Sequence, residues 1–275
     1  MIASLSGHAL LAQTGDWKLV WSDEFNRDGA PNPSKWAYEE GFVRNNELQY
    51  YTAGRLENAR IEGGNLIIEA HKEPYLDAED EADSKELSSE KKHKHADYTS
   101  ASLTTRGRAS WTYGRIEVRA KLPSGRGTWP AIWTLGTNIN KVNWPACGEI
   151  DIMEYVGHDP GVVQANVHTG GYHHAQGNGR GARLAVPDAE KDFHVYACEW
   201  TPERLVFFVD DQKHYTLEND MTGVDSWPFD APQYLILNLA IGGNFGGKKG
   251  VDDSIFPQRF LIDYVRIYQR PGAGG

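Results

Sequence analysis

Apolar and polar residues alternate along most of this chain in short runs bounded by Gly, Pro and Asn, with almost no helical period. Trp17-Lys18-Leu19-Val20-Trp21 reads as a strand, and Asn65-Leu66-Ile67-Ile68-Glu69-Ala70 as another that follows the Gly63-Gly64 turn. The same pattern predicts strands over residues 100–106, 114–121, 131–135, 148–155, 163–169, 194–200, 234–241 and 261–268. Strands 205–209 and 213–217, joined at Asp210-Asp211, read as a hairpin. Many short strands with turns between them predict an all-β fold, a two-sheet antiparallel sandwich. Residues 16–270 are read as one domain, with no internal repeat or linker.

Two segments fall outside the pattern. Residues 1–15 carry a short apolar run, Ala9-Leu10-Leu11-Ala12, but no clear basic n-region. They are too short to span a bilayer and read as a signal-peptide remnant or a disordered N-terminus. Residues 77–95 form a polar insertion whose acidic part is followed by Lys91-Lys92-His93-Lys94-His95. A self-compensating surface loop accounts for it better than a metal site at His93 and His95.

Composition narrows the chemistry. A formal net charge of −10 gives no footprint for nucleic acid. Nine Trp and thirteen Tyr supply flat apolar faces with polar edges, which suit stacking on sugar rings as well as core filling. Cys147 and Cys198 make no disulfide framework and no metal-ligand spacing, and they read as buried free thiols.

The most informative stretch is Gly148-Glu149-Ile150-Asp151-Ile152-Met153-Glu154-Tyr155. Side chains alternate across a strand, so Glu149 and Asp151 share one face and Ile150 and Ile152 the other. Strict alternation would bury Glu154 in the core, at high cost for a charge. One extra residue at Ile152-Met153, a β-bulge, restores Glu154 to the acidic face. Three carboxylates in a row cannot all stay ionised cheaply, so at least one pKa is expected to rise. Paired carboxylates of this kind perform glycoside hydrolysis, although an acidic strand edge or a calcium site would use the same residues. Residues four apart on a flat strand are roughly 13 Å apart, whereas a retaining pair needs about 5–5.5 Å. Sheet curvature and long side chains would have to close that gap.

The run Glu149-Ile150-Asp151-Ile152-Met153-Glu154 resembles the bulged E-x-D-x-x-E signature of the laminarinase branch of glycoside hydrolase family 16. The resemblance extends to Val20-Trp21-Ser22-Asp23-Glu24-Phe25, Asn45-Asn46-Glu47-Leu48-Gln49-Tyr50-Tyr51-Thr52, Tyr113-Gly114-Arg115-Ile116-Glu117-Val118-Arg119-Ala120-Lys121, Gly127-Thr128-Trp129-Pro130-Ala131-Ile132-Trp133 and Asp263-Tyr264-Val265-Arg266-Ile267-Tyr268. It covers nearly all of residues 17–269 and implies a β-jelly-roll of two curved antiparallel sheets with a concave cleft. It further implies Glu149 as nucleophile, Glu154 as general acid/base and Asp151 as the group that orients the nucleophile.

Trp129 and Trp133 resemble the family's cleft tryptophans, and His168 a histidine near the acid/base. Asn46, Arg106, Glu117 and Asn238 are candidate hydrogen-bonding partners for sugar hydroxyls, with Phe245 and Trp227 in loops bordering the cleft. No cofactor is expected for catalysis. A structural Ca²⁺ is implied at the side chains of Glu24 and Asp263 and the carbonyl of Gly64, although both acids could instead pair with basic residues such as Lys18 or Arg266. The expected activity is a retaining endo-β-1,3-glucanase, extending to mixed β-1,3-1,4-glucan. It is expected to act as a monomer, secreted or periplasmic, with no nucleic-acid or membrane partner. The alternatives are another hydrolase of the family, agarase- or carrageenase-like, a non-catalytic glucan-binding protein, and a calcium-dependent lectin.

Overall fold

The computed structural model describes residues 17–76 and 95–271. The readings of residues 1–15, of His93 and of nearly all of the 77–95 insertion lie outside them, and His95 sits 3.5 Å from Asp97. Strands are numbered along the chain. A ten-stranded sheet follows the path β15 (Gln212–Glu218), β14 (Arg204–Val209), β13 (His194–Trp200), β8 (Gly114–Lys121), β17 (Gln258–Gln269), β5 (Asn65–Tyr75), β6 (Ala96–Ser100) and β3 (Gln49–Tyr51). Beside this path, β1 (Lys18–Asp23) pairs with β17 and β4 (Ala59–Glu62) with β5. A seven-stranded sheet runs β12 (Arg180–Ala185), β11 (Val162–His168), β10 (Glu149–Tyr155), β9 (Thr128–Gly136), β16 (Gln233–Ile241), β7 (Ser102–Thr104) and β2 (Ala37–Glu39). All pairings are antiparallel except β3 with β6. No described helix is long and apolar enough to cross a membrane.

The two sheets enclose one main core. Ile116, Val118 and Ala120 of β8 and Tyr196, Cys198 and Trp200 of β13 meet Ile150, Ile152 and Met153 of β10 and Leu235, Leu237 and Leu239 of β16. A second cluster, Ala131, Trp133, Leu135, Cys147, Tyr234 and Ile236, covers the opposite face of the seven-stranded sheet. β16 is thus buried on both faces, which is why its sequence is a nearly unbroken apolar run. Cys147 and Cys198 fall in different clusters as buried free thiols, as expected.

Most expected strands appear within a few residues of their predicted limits. The run over 100–106 does not form one strand, because the chain changes sheet at Ala101 between β6 and β7. The short strands β2, β3, β4 and β12 were not anticipated, since three or four residues are too few to show alternation and β12 is largely exposed.

β10 carries the predicted bulge. Asp151 faces Trp133 of β9, and the next partners, Met153 with Ile132 and Glu154 with Ala131, are displaced by one residue. Both Ile152 and Met153 turn into the core, so Glu154 returns to the side of Glu149 and Asp151.

Gly148 starts this strand with φ of +79°, and a Cβ there would lie 2.8 Å from Pro228 and 2.9 Å from Phe229. Backbone strain and overpacking together should make Gly148→Ala destabilising by on the order of 1–3 kcal/mol. Urea denaturation would show this, and an unchanged midpoint would contradict the packing described.

Candidate active site

The three acids of β10 open into a cleft of about 850 Å³ on the outer face of the seven-stranded sheet. Each is held by a neighbouring strand or loop. Trp144, in the loop before β10, donates its indole N–H to Glu149 Oε2 at 2.7 Å. Asn166 of β11 donates from Nδ2 to Glu154 Oε2 at 2.6 Å, and Trp129 of β9 donates from Nε1 to Glu154 Oε1 at 3.1 Å. Asp151, only 2% exposed, lies between them. His168 Nε2 is 3.3 Å from Asp151 Oδ2 and 3.7 Å from Glu149 Oε1.

Burial raises the pKa of all three carboxyls. The neighbouring Asp151 charge raises Glu149 further, and Glu154 raises Asp151. On Glu154 the hydrogen bond from Asn166 opposes the effect of burial. The arrangement can therefore hold acid and base forms side by side in a partly dry site, as glycosidic bond cleavage needs.

Most of the candidate binding residues gather around these acids. Trp129, Trp133, Arg106, His168, Asn238 and Phe245 all line the cleft. Trp133 is only 7% exposed; its Nε1 donates to Asn238 Oδ1 at 2.7 Å and the Arg44 guanidinium lies 4.9 Å above its ring. Asn238 in turn donates to Tyr51 Oη at 2.9 Å, so its amide supports the cleft floor. Arg106 reaches Asn140 Oδ1 at 2.9 Å and lies over the Tyr234 ring.

Three readings need correction, those of Glu117, Asn46 and Trp227. Glu117 does not face the cleft, because β8 belongs to the other sheet; there it accepts from Arg115 Nε at 2.6 Å. Asn46 is exposed and bonds Asn244 at 3.0 Å, and its neighbour Asn45 lines the cleft in its place. Trp227 is packed edge-on against Phe229, away from the cleft. Glu24 accepts two hydrogen bonds from Arg266, at 3.0 and 2.7 Å, and Asp263 accepts one from Arg119 at 2.6 Å. The Arg266 pair holds the Glu24 carboxyl below its usual range.

Trp144 and Asn166, which bond the two glutamates directly, were not singled out from the sequence. Trp144 lies only five residues before Glu149, and the Asn166-Val167-His168 alternation places Asn166 on the face of His168. Glu39, Arg44 and Glu47 complete the polar cleft wall; Glu47 lies in the 45–52 run quoted above, whereas Glu39 and Arg44 lie outside the quoted motifs.

A bulged strand of three desolvated acids flooring an aromatic cleft defines a carboxylate-dependent glycoside hydrolase. The chain belongs to the glycosyl hydrolases family 16, whose profile matches residues 62–266. It is 52% identical over 262 residues to a beta-glucanase of Rhodothermus marinus, covering 92% of this chain and 85% of that protein. The structure of the laminarinase from Rhodothermus marinus superposes with a TM-score of 0.82 at 50% identity, covering 92% of this chain and 97% of the other. A non-specific endo-beta-1,3(4)-glucanase, solved with 1,3-beta-D-cellobiosyl-glucose at its active site, gives a TM-score of 0.82 at 46% identity, covering 93% and 95%.

The indole hydrogen bond favours the ionised form of Glu149, so removing it should raise that pKa. In Trp144→Phe, the carboxyl of Glu149, followed by carbon NMR, should titrate at higher pH than in the parent protein. A shift to lower pH would rule out the described role of the indole.

Proposed function

We propose that this chain is a retaining endo-β-1,3-glucanase that also accepts mixed β-1,3-1,4-glucan. The observation that carries this reading is the placement of Glu149 and Glu154 on one cleft face with Asp151 between them. Glu154, its carboxyl kept protonated by burial, donates its proton to the glycosidic oxygen as Glu149 attacks the anomeric carbon. The leaving sugar departs and a covalent glycosyl-enzyme remains on Glu149. Glu154, now ionised, takes a proton from the water that attacks this ester, and both glutamates return to their starting states.

Burial and the Glu154 charge hold Asp151 in its protonated form, so that it adds no like charge against the ionisation of Glu149. The indole N–H of Trp144 assists by donating to Glu149 Oε2. Burial alone would raise Glu149 and blunt its attack, so the neutral Asp151 and the indole hydrogen bond matter most in the dry state with sugar bound.

An endo mode is supported by the reach of the cleft. Its lining residues run from Glu39 on β2 across β16, β9 and β10 to Gln164 on β11. Six neighbouring strands at about 4.8 Å spacing span roughly 24 Å, enough for several sugar units on both sides of the acids. A polymer of this kind does not enter cells, so the proposed site of action is secreted or periplasmic, with the chain acting as a monomer.

The structural Ca²⁺ is carried forward as part of this proposal. The β1–β17, β17–β5 and β4–β5 registers bring Glu24, Asp263 and the Gly63-Gly64 turn near one another where β1 and β5 flank β17, and carboxylate and carbonyl oxygens suit the ion. Its competitors, Arg266 and Arg119, form half-exposed pairs of the kind worth only about 0–1 kcal/mol. Calcium supplies no chemistry in this scheme.

Two measurements test the proposal. Proton NMR of laminarin during early digestion should show β-anomer first, with no turnover by Glu149→Gln and a loss of about 10²–10⁴-fold in Glu154→Gln; early α-anomer would exclude retention. Thermal melting after exhaustive EDTA treatment should fall and recover on adding CaCl₂, and an identical melting temperature would remove the calcium site.

A further inference from the structure

Glu149, Asp151 and His168 have a second chemical property, independent of sugar cleavage. One ligand atom from each lies within 4.8 Å of the others: the Glu149 and Asp151 carboxylate oxygens and a His168 ring nitrogen. His168 Nε2 is 3.3 Å from Asp151 Oδ2 and 3.7 Å from Glu149 Oε1. Ligands about 2.1 Å from a tetrahedral zinc ion are about 3.4 Å apart, so both edges match a metal polyhedron.

Asp151 Oδ2 is buried without a hydrogen-bond partner, although it lies this close to the imidazole. A carboxylate oxygen left unpaired in a dry site is unfavourable, and a shared cation would satisfy it. His168 Nδ1 is also buried and unpartnered, so no neighbouring group fixes which ring nitrogen carries the proton. Carboxylate oxygens and an imidazole nitrogen are zinc ligands, and three of them leave a fourth tetrahedral position free.

We propose that Glu149, Asp151 and His168 bind a single Zn²⁺ ion. The inference rests on the placement of these three side chains and not on the roles assigned to them in catalysis.

Isothermal titration of the full chain with ZnCl₂ should give one site, weakened at least tenfold in His168→Gln and likewise in Asp151→Asn. The isosteric Asp151→Asn keeps the test available should His168→Gln fail to fold. Unchanged affinity in a folded variant, which would place the ion on other histidines such as His173 and His174, or no binding by the parent chain, would overturn the inference. A parent chain that binds zinc at this site but cleaves no β-glucan would leave the inference standing and refute the proposed function. An active enzyme that binds no zinc would do the reverse.

Discussion

The bulge in β10 is the constraint on which the rest of the site depends. It sends Ile152 and Met153 together into the main core and so turns Glu154 outward beside Glu149 and Asp151. The core side anchors the strand by apolar burial, and the outer side receives three acids that no regular strand of this sequence could display together. Gly148 allows the tight approach of Pro228 and Phe229 just before Glu149, which fixes where the strand begins. The neighbouring strands are then placed to complete the site, with Trp129 and Asn166 on either side of Glu154.

This arrangement sets catalysis against stability. The carboxyls of Glu149, Asp151 and Glu154 are raised by folding, so their contribution to stability is full below the unfolded carboxylate range near 4 and is lost as pH rises through their folded values. Glu24 behaves in the opposite sense: lowered by Arg266, it stabilises above the unfolded value, and that contribution is lost as pH falls through its folded pKa. The two groups occupy opposite sheets, and only the first lies where water is excluded by aromatic rings. Hydrogen bonds from Trp144, Trp129 and Asn166 offset part of the burial penalty without neutralising the acids with a cation.

The cleft floor shows how the same sheet serves both purposes. Trp133, packed beneath Arg44 and bonded to Asn238, is largely a structural element of the cleft, while Trp129 meets the acid directly. Asn238 links Trp133 to Tyr51 of the other sheet, so the Trp133 indole N–H and the Asn238 amide are satisfied before any ligand arrives. A floor assembled in this way is preorganised, and binding need not order it.

Much of the fold and the centre of the site was legible in the chain. Alternation revealed the long strands because each buries one face, and the mismatch between alternation and the cost of burying Glu154 revealed the bulge. The strand break at Ala101, the short strands β2 to β4, and the assignment of β8 to the sheet opposite the cleft were not legible. Glu117 therefore looked like a cleft residue although it bonds Arg115 on the far side of the molecule. Local pattern determines which residues share a strand face, since side-chain direction follows from backbone geometry within a few residues. Only the tertiary structure decides which sheet that face belongs to and which distant side chains meet it, because strand partners are chosen by burial of the whole core. Trp144, Asn166 and Arg44 reached the acids and the cleft wall by that route.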